Sequence, residues 1–260
     1  MLNIDSDQIS IAIDLDQGAR LASVQWRDMQ FVVPFRGQDL TWGWFAMAPF
    51  AGRVKNGVVR DLKGNEFQLP TNFDPPHALN GLAVLSSWED LGGGRQFLEL
   101  PSPYEGATVT QSYEILDNAI RWSLEYEANG CELPVTLGFH PWFAREIGKG
   151  DSAELFFKAN KMFKRLSDQI PTGELIPPST PPWDDTFVEV LGTPEIIWPG
   201  AAKVTVESDT PYWHIYDQDE DGICIEPVTA PPDAQNLKIQ GKSCIECLIT
   251  FSEDFDLSRE

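Results

Sequence analysis

Cysteine is scarce in this sequence, and its positions are widely spread. The 260 residues contain only Cys131, Cys224, Cys244 and Cys247, which are too few and too scattered for a disulfide framework in a chain of this length. Cys244 and Cys247 could suggest a metal or redox pair, but no second pair accompanies them, and strand residues three apart face opposite sides. We therefore predict no metal site and expect both to be small buried apolar residues.

Basic residues are also few. The chain has 19 Lys and Arg against 40 Asp and Glu, a formal net charge of −21, which disfavours nucleic acid, anionic membranes and phosphate-rich ligands as partners. A neutral ligand is easier to accommodate. The N-terminus lacks a basic region followed by an apolar one, and no apolar run reaches the length of a membrane span. We therefore expect no membrane association and a cytoplasmic location.

A helical apolar pattern is missing as well, whereas strand alternation is frequent. Apolar and polar residues alternate over 9–15, 109–115, 120–126 and 245–251, typical of strands that bury one face. Twenty glycines and 20 prolines punctuate the chain at intervals typical of short strands, and 171–173, 177–182 and 199–200 are interpreted as loops. The prediction is an all-β fold, a large antiparallel β-sandwich forming a single domain over 1–260.

Two apolar strands are predicted to end at a polar side chain that is followed by proline. Glu226 follows an apolar stretch and precedes Pro227, and His140 lies among aromatic residues and precedes Pro141. Proline fixes the backbone and removes a donor, so a carboxylate can be held rigidly there at the rim of a pocket. Histidine has the side-chain pKa nearest neutrality and suits general acid catalysis. The alternatives are an edge-strand glutamate before an ordinary turn and a core histidine bonded to a backbone carbonyl.

The two remaining histidines have simpler interpretations from the sequence. His77 follows a Pro-Pro pair in a polar segment, which by itself indicates a surface histidine. His214 lies between aromatic residues in a strand-like stretch, and we assign it a structural role.

Several segments, in order along nearly the whole chain, resemble the aldose 1-epimerases, the galactose mutarotase-like proteins. The segment 224–234, CIEPVTAPPDA, is similar to the family's C-terminal signature, and 137–143, LGFHPWF, is similar to its general-acid motif. The segments 47–57, 183–187, 18–23 and 170–174 also fit. The resemblance implies the large β-sandwich of that family, with Glu226 as catalytic base and His140 as general acid. It further implies that Arg53 and Asp184 bind sugar.

One motif departs from the family pattern. The family commonly has an asparagine, two residues, and then a histidine and glycine, with that histidine contacting the sugar near its ring oxygen. This sequence has His77 and then Asn80 before Gly81, so the two polar residues are exchanged. Asparagine donates and accepts hydrogen bonds but carries no proton. We expect His77 and Asn80 both to line the sugar site, with Asn80 in a binding role only. Gly52 also replaces a frequent asparagine.

The resemblance implies interconversion of the α and β anomers of a monosaccharide such as glucose or galactose, without a cofactor. A base removes the proton of the C1 hydroxyl while an acid protonates the ring oxygen, and the C1–O5 bond breaks. We expect an ionised Glu226 and a protonated His140 on opposite sides of the sugar. Trp44, Trp142 or Trp213 could stack on the pyranose. The oligomeric state, monomer or homodimer, stays open.

Three alternatives remain at this point. The exchanged asparagine is compatible with a sugar-binding protein that has no catalytic activity. Some enzymes that cleave carbohydrates carry related sandwich domains and use two carboxylates, here Glu226 with Asp184. A hexose 6-phosphate is a third candidate substrate, although the acidic chain offers few arginines for a phosphate.

Overall fold

The computed structural model describes residues 1–254 and is built mainly of antiparallel strands. In chain order the strands are β1 (Leu2–Asp5), β2 (Ile9–Asp14), β3 (Arg20–Trp26), β4 (Met29–Gln30), β5 (Trp44–Met47), β6 (Arg53–Val54), β7 (Val58–Arg60), β8 (Glu66–Gln68), β9 (Ala78–Leu79), β10 (Glu89–Gly92), β11 (Arg95–Glu99), β12 (Thr108–Ile115), β13 (Ala119–Glu127), β14 (Gly138–Ala144), β15 (Glu154–Phe156), β16 (Ala159–Arg165), β17 (Pro171–Ile176), β18 (Asp184–Val190), β19 (Glu195–Trp198), β20 (Ala202–Ser208), β21 (Tyr212–Tyr216), β22 (Gly222–Val228) and β23 (Cys244–Glu253). Short 3₁₀ turns lie at Lys55–Gly57 and Ala83–Leu85, and α1 spans Ala234–Leu237.

The strands form two large sheets and two small hairpin-like pairs. The large sheet has 11 strands in the order β1-β2-β3-β5-β14-β22-β21-β18-β16-β17, with β4 attached to β3. The small sheet has 8 strands in the order β10-β11-β12-β13-β23-β20-β19-β15, and β6-β9 and β7-β8 are separate pairs. The predicted antiparallel all-β sandwich is confirmed.

Alternating burial explains why the predicted strands form. β2 and β13 bury every second side chain, so each presents an apolar face to the space between the sheets. The predicted strands around 109–115 and 245–251 are confirmed as β12 and β23. The prediction of a loop at 171–173 is wrong, because these residues begin β17, which pairs with β16.

Aromatic contacts join the two sheets across the core. Trp122 of β13 lies against Phe139 of β14, with ring centroids 4.2 Å apart, and Trp26 of β3 stacks on Phe251 of β23 at 6.0 Å. All four side chains are at most 2 % exposed. Buried aromatic residues contribute the largest apolar areas of a core, so these contacts fix how the sheets face each other.

The central strands of the large sheet are buried on both faces. Every residue of β14 and β22 is buried. Phe139 and Ile225 belong to the core between the sheets, whereas Trp142 and Val228 belong to a second apolar cluster on the opposite face. Loops cover that opposite face, which therefore encloses side chains that the sandwich core does not contain.

The cysteines follow the strand geometry only in part. Cys244 is exposed and Cys247 is buried in β23, so the two face opposite sides as predicted, but the expected burial of Cys244 is wrong. Among the residues that the structure describes, no helix is long and apolar enough to cross a membrane.

Candidate active site

A pocket lies on the loop-covered face of the large sheet, above β14, β22 and β21. Its cavity has a volume of ≈ 190 Å³. Both polar and apolar side chains form its wall, contributed by strands and by the surrounding loops: Leu40, Thr41, Ala51, Gly52, Arg53, Leu79, Asn80, His140, Trp142, Asp184, His214, Tyr216, Glu226, Val228, Ala230 and Pro232.

Strand register brings His140 and Glu226 together. Gly138 of β14 pairs with Val228 of β22, and Trp142 pairs with Cys224, so the same register places His140 directly opposite Glu226. Side chains directly opposite on neighbouring strands lie on the same face and in contact. His140 and Glu226 are 86 residues apart in the sequence, but the pairing of β14 with β22 brings their side chains together at the pocket wall.

Two prolines lie inside these strands, beside the converging side chains. Pro141 is within β14 and Pro227 is within β22, so the prediction that the apolar strand ends at Glu226 is wrong. Proline lacks an N–H and cannot donate to a neighbouring strand. The pairs recorded between β14 and β22 accordingly lie on either side of this point.

The distance between the two groups is short. Nε2 of His140 lies 3.4 Å from Oε1 of Glu226. The expectation that they face each other across a sugar is therefore wrong, since nothing as large as a pyranose fits between them. Within the described chain, Oε1 of Glu226 and Nδ1 of His140 are buried and have no hydrogen-bond partner. A buried polar atom without a hydrogen bond lowers the stability of the folded protein. A polar ligand that hydrogen-bonds to these atoms in the pocket would remove this cost.

Aromatic rings fix the imidazole of His140. It stacks between Phe45, with ring centroids 4.7 Å apart, and Trp142, at 5.5 Å. The guanidinium carbon of Arg20 lies 5.0 Å from the centroid of the Phe45 ring. The guanidinium donates hydrogen bonds to four backbone carbonyls, including those of Trp42 and Val84. Arg20 thereby holds the loops behind His140, a role that its position in the sequence did not reveal.

Burial changes the proton affinity of both groups in opposite directions. Burial raises the pKa of Glu226 to about 8, although the charge of His214 opposes this rise. Burial also lowers the pKa of His140, and the charge of His214 lowers it further. Near neutral pH the pair therefore holds one proton, and burial favours its position on Glu226. The expected resting state of an ionised Glu226 with a protonated His140 differs, because desolvation disfavours both charges.

His214 is the site residue that the sequence interpretation missed. It lines the pocket and lies directly opposite Glu226 on β21. Its Nε2 is 3.0 Å from Oδ1 of Asp184, and its Nδ1 is 2.9 Å from Oγ1 of Thr186. The structural role assigned to His214 is therefore incomplete. The alternation of 212–216 in a strand beside 222–228 was the available signal, since it places His214 on the face of Glu226.

Asp184 is surrounded by cations. Besides His214, Nη1 of Arg165 lies 3.1 Å and Nη1 of Arg53 lies 3.9 Å from its Oδ2. Although burial opposes the shift, the hydrogen bond and charge of His214 and the two arginines lower the pKa of Asp184 to about 2. Nε of Arg53 also donates to Asp74 at 2.6 Å. The structure thus brings both predicted sugar-binding residues, Arg53 and Asp184, to the pocket wall.

Asn80 and His77 are separated by the structure. Asn80 lines the pocket, but His77 is not among its lining residues. His77 is buried, and its Nδ1 accepts a hydrogen bond from the backbone N–H of Asn56 at 3.0 Å. The predictions that His77 is a surface residue and that it lines the pocket are both wrong, because its ring is buried and is held by the backbone at Asn56.

Gly52 and Asp233 shape the rim of the pocket. Gly52 has φ +68°, and a Cβ there would lie 2.8 Å from Cγ of Pro232, which explains why this chain has no side chain at that position. Asp233 donates its backbone N–H to the carbonyl of Arg53 and accepts the N–H of Lys55. The proline-rich segment after β22 is thereby attached to β6.

Of the three tryptophans considered for stacking on a sugar, Trp142 lines the pocket. Trp44 is fully buried, and its indole N–H donates to the carbonyl of Trp142. Trp213 belongs to the core between the sheets. The predictions for Trp44 and Trp213 are therefore wrong, since both rings point away from the pocket face.

A group with metal-compatible spacing lies at the base of the site. His140, Cys224 and Glu226 place one potential ligand atom each within 4.8 Å of one another. The thiol of Cys224 is fully buried, and burial raises its pKa well above its usual value. A protonated thiol is a poor ligand, so we assign no metal to this group.

Comparison with known proteins identifies a family. The family model described as aldose 1-epimerase matches residues 2–243. Comparison with curated protein sequences gives no match.

Solved structures with the same fold come from several organisms. A candidate aldose 1-epimerase from Escherichia coli K12 is 18% identical, with a TM-score of 0.79 over 96% of this chain and 98% of that chain. A GalM/aldose epimerase homologue from C. elegans is 17% identical, with a TM-score of 0.77 over 97% and 98%. A galactose mutarotase-like protein from Clostridium acetobutylicum is 15% identical, with a TM-score of 0.77 over 96% and 94%. The structures support the fold, and the family model, which spans nearly the whole chain, shows that this protein belongs to the aldose 1-epimerase family.

Proposed function

We propose that this protein is an aldose 1-epimerase that interconverts the α and β anomers of an unphosphorylated aldohexose such as glucose or galactose. The observation that carries the proposal is the 3.4 Å separation of His140 and Glu226 on the pocket wall. An imidazole and a carboxylate in contact, with buried unpaired atoms beside a cavity, form a site able to give one proton and take another.

The adjacent arrangement of this pair suits the reaction. The two oxygens that exchange protons, the C1 hydroxyl and the ring oxygen, are both bonded to C1 and are therefore close together. An acid and a base in contact with each other can reach both oxygens from one side of the sugar. By contrast, the carboxylates of glycosidases stand about 5 Å or more apart, on either side of the bond that they cleave.

The single proton of the pair is sufficient for a complete cycle. Glu226 accepts the proton of the C1 hydroxyl while His140 donates its proton to the ring oxygen, and the C1–O5 bond breaks to give the open aldehyde. After rotation about the C1–C2 bond, Glu226 returns its proton and His140 takes one back as the ring closes. No electrons are transferred, so the reaction is balanced without a cofactor.

The remaining wall residues are proposed to hold the sugar. Asp184 and Arg53 present a fixed carboxylate and guanidinium to the hydroxyl groups, and Asn80 offers both a donor and an acceptor. Trp142 presents an aromatic ring that suits the apolar side of a pyranose. The cavity of ≈ 190 Å³ is small beside the range of about 300–1,000 Å³ typical of drug-sized ligands, which favours a monosaccharide.

Charge favours a sugar without phosphate. Among the lining residues of the pocket, Arg53 is the one Lys or Arg side chain, and its guanidinium is already engaged by Asp74 and is near Asp184. A phosphate requires free cationic donors, and two neighbouring carboxylates would repel it. Glucose 6-phosphate should therefore be a poorer substrate than glucose.

Polarimetry on freshly dissolved α-D-glucose and α-D-galactose tests the proposal. The wild type should accelerate relaxation to the anomeric equilibrium above buffer, and Glu226→Gln should lose about 10² or more of the enzymatic rate. Glu246→Gln is the matched control, because Glu246 is an exposed glutamate of β23 that contacts Ser123 and Arg121. It should retain the wild-type rate.

Other outcomes would reject the proposal in distinct ways. Sugar binding by calorimetry with relaxation no faster than buffer would indicate a binding protein. Release of nitrophenol from a nitrophenyl glycoside would indicate a carbohydrate-cleaving enzyme. A higher kcat/KM with glucose 6-phosphate than with glucose would reject the substrate class alone.

A further inference from the structure

Two histidines flank Glu226 on neighbouring strands, and their surroundings differ. His140 on β14 is enclosed by the rings of Phe45 and Trp142. His214 on β21 lies opposite Glu226 on the other side and is surrounded by polar groups. One imidazole is therefore in an apolar environment and the other in an ionic one.

Both ring nitrogens of His214 are engaged. Nε2 lies 3.0 Å from Oδ1 of Asp184, and Nδ1 lies 2.9 Å from Oγ1 of Thr186. A protonated ring donates to both oxygens, and a carboxylate acceptor strengthens such a bond. Asp184 is itself fixed by Arg165 at 3.1 Å. The ring of His214 thus has one defined orientation, with a charge-assisted bond on the side away from Glu226.

Building on the epimerase function proposed above, we propose that His214 is a positioning residue: a fixed imidazolium that draws the single proton of the pair from Glu226 toward His140. It acts through Glu226 and need not touch the reacting atoms. Its contribution is to raise the fraction of the pair in which Glu226 is the base and His140 is the acid.

The distances explain why His214 acts unequally on the two groups. Glu226 is its immediate cross-strand neighbour, at about 5 Å between backbones, whereas His140 is one strand further away, at about 10 Å. A positive charge therefore lowers the proton affinity of Glu226 more than that of His140. The difference between the two effects moves the shared proton.

The charged groups around His214 support its protonated state. Burial lowers the pKa of His214, but the charge of Glu226 and the hydrogen bond and charge of Asp184 more than offset this, and the net pKa is raised. Arg53 opposes the protonated form. Asp184 keeps its charge throughout, because its pKa is lowered to about 2. Glu226 adds its charge when the shared proton is on His140, so the imidazolium of His214 and the ionised form of Glu226 stabilise each other.

Titratable and charged groups surround Glu226 on its own strand and on both neighbouring strands. His140 faces it from β14 and His214 from β21, while Asp184 and Arg53 act from further away with opposite signs. On its own strand, Cys224 is buried and its thiol stays protonated because burial raises its pKa. Among residues 1–254, replacing His214 therefore removes the one cationic group directly opposite Glu226.

The first experiment is the pH dependence of kcat/KM in wild type and His214→Gln. At pH 6–7 the variant should lose about tenfold or more, since less of the pair has its proton on His140. The fall of kcat/KM at alkaline pH, where the pair loses its proton, is called the alkaline limb. In the variant this limb should also shift to higher pH by about one to three units. His214→Lys keeps a positive charge and should keep the limb near its wild-type position. A lower rate with an unmoved limb would overturn the proposal and indicate a contact or packing role.

The second experiment measures the wild-type protein and does not depend on activity, with His77→Gln and His214→Gln used only to assign the signals. The chain has only three histidines, so NMR of ¹⁵N-labelled imidazoles in the wild type should resolve each ring. His214 should be an imidazolium at pH 7, with both nitrogens protonated, and His77→Gln assigns the third signal. A neutral His214 at pH 7 would overturn the proposal even if the enzyme is active. Wild-type relaxation no faster than buffer would reject the epimerase function instead, while this titration would still report on His214.

Discussion

His140 and Glu226 lie opposite each other on neighbouring strands of one sheet, with Nε2 3.4 Å from Oε1. Because each proton transfer requires the other, the two residues should behave as a unit. His140→Gln and Glu226→Gln should each reduce kcat by a factor of about 10²–10⁴. The kcat of the double variant should lie within a few-fold of that of the slower single variant. Polarimetric rates for the four proteins check this. Multiplicative losses would indicate independent roles.

The wild-type pH profile follows from the single shared proton. Burial raises the pKa of Glu226 to about 8 and lowers that of His140, so the one-proton pair persists between the two values. The kcat/KM should be level near neutral pH and should fall above about pH 8, where the pair becomes fully deprotonated. Rates corrected for the buffer reaction from pH 5.5 to 9.5 measure this. A rate that rises through pH 8 would instead mean that Glu226 acts as a base without a shared proton.

Glu226 should also destabilise the folded protein at alkaline pH. A carboxyl whose pKa rises from 4.5 unfolded to about 8 folded binds more protons when folded, so the free energy of unfolding decreases as pH rises between those values. Glu226→Gln has no carboxyl to ionise, so its free energy of unfolding should not decrease in this way. At pH 8 it should be higher than that of the wild type by on the order of 3 kcal/mol. The difference in the free energy of unfolding between the variant and the wild type should become smaller as the pH falls toward 4.5. Urea unfolding at several pH values would detect it, and an unchanged difference would contradict the raised pKa.

Asp184 and Asp185 offer a matched comparison of binding and packing. Both contact Arg165, at 3.1 and 2.8 Å, but Asp184 alone lines the pocket. Asp184→Asn should raise KM by about tenfold, since a charged hydrogen bond is lost, and should weaken the protonated form of His214. Asp185→Asn should lower stability with KM within about twofold of wild type. Similar KM values for the two variants would remove Asp184 from the sugar site.

Gly81, next to Asn80, should tolerate no side chain. It has φ +88°, and a Cβ there would lie 2.3 Å from the carbonyl oxygen of Ala48. Gly81→Ala should therefore cost about 3 kcal/mol or more. Gly64→Ala is the control, because Gly64 has φ +86° with no atom within 4 Å of the added Cβ, and should cost about 1 kcal/mol. Denaturation midpoints of both variants measure these costs. The Gly64 variant reports the backbone strain alone, and the Gly81 variant reports that strain together with the contact with Ala48.

The strand periodicity and the strand-to-proline segments predicted much of the fold and of the site. Alternation identified β2, β12, β13 and β23, and the resemblance brought Glu226, His140, Arg53, Asp184 and Asn80 to one pocket. The strand predictions are confirmed because the side-chain period of a strand fixes which residues share a face. The roles that the resemblance implies for the five pocket residues stay predictions.

Other features depend on contacts between distant strands and could not be read from the sequence. The alternation of 212–216 places His214 on one face of a strand, but only the pairing of β21 with β22 brings that face beside Glu226. No local pattern specifies this register. His77 leaves it because a backbone N–H of Asn56 captures its ring. The adjacency of His140 and Glu226 likewise required the order of strands in the sheet, so the sequence suggested opposite walls.

The prolines within β14 and β22 lie where the two strands carry His140 and Glu226, on a floor fixed by the sandwich core. Of the residues proposed to bind the sugar, Asp184 and Trp142 lie on β18 and β14 of the same sheet, whereas Arg53 and Asn80 come from the short β6–β9 pair and the loop that follows it. The proposed sugar-binding residues are thus divided between the sheet that carries the proposed proton-transfer pair and the short β6–β9 pair. Under the proposed function, we expect that exchanging the segment around β6 and β9 between relatives changes the preferred sugar, while His140 and Glu226 stay in place on the sheet.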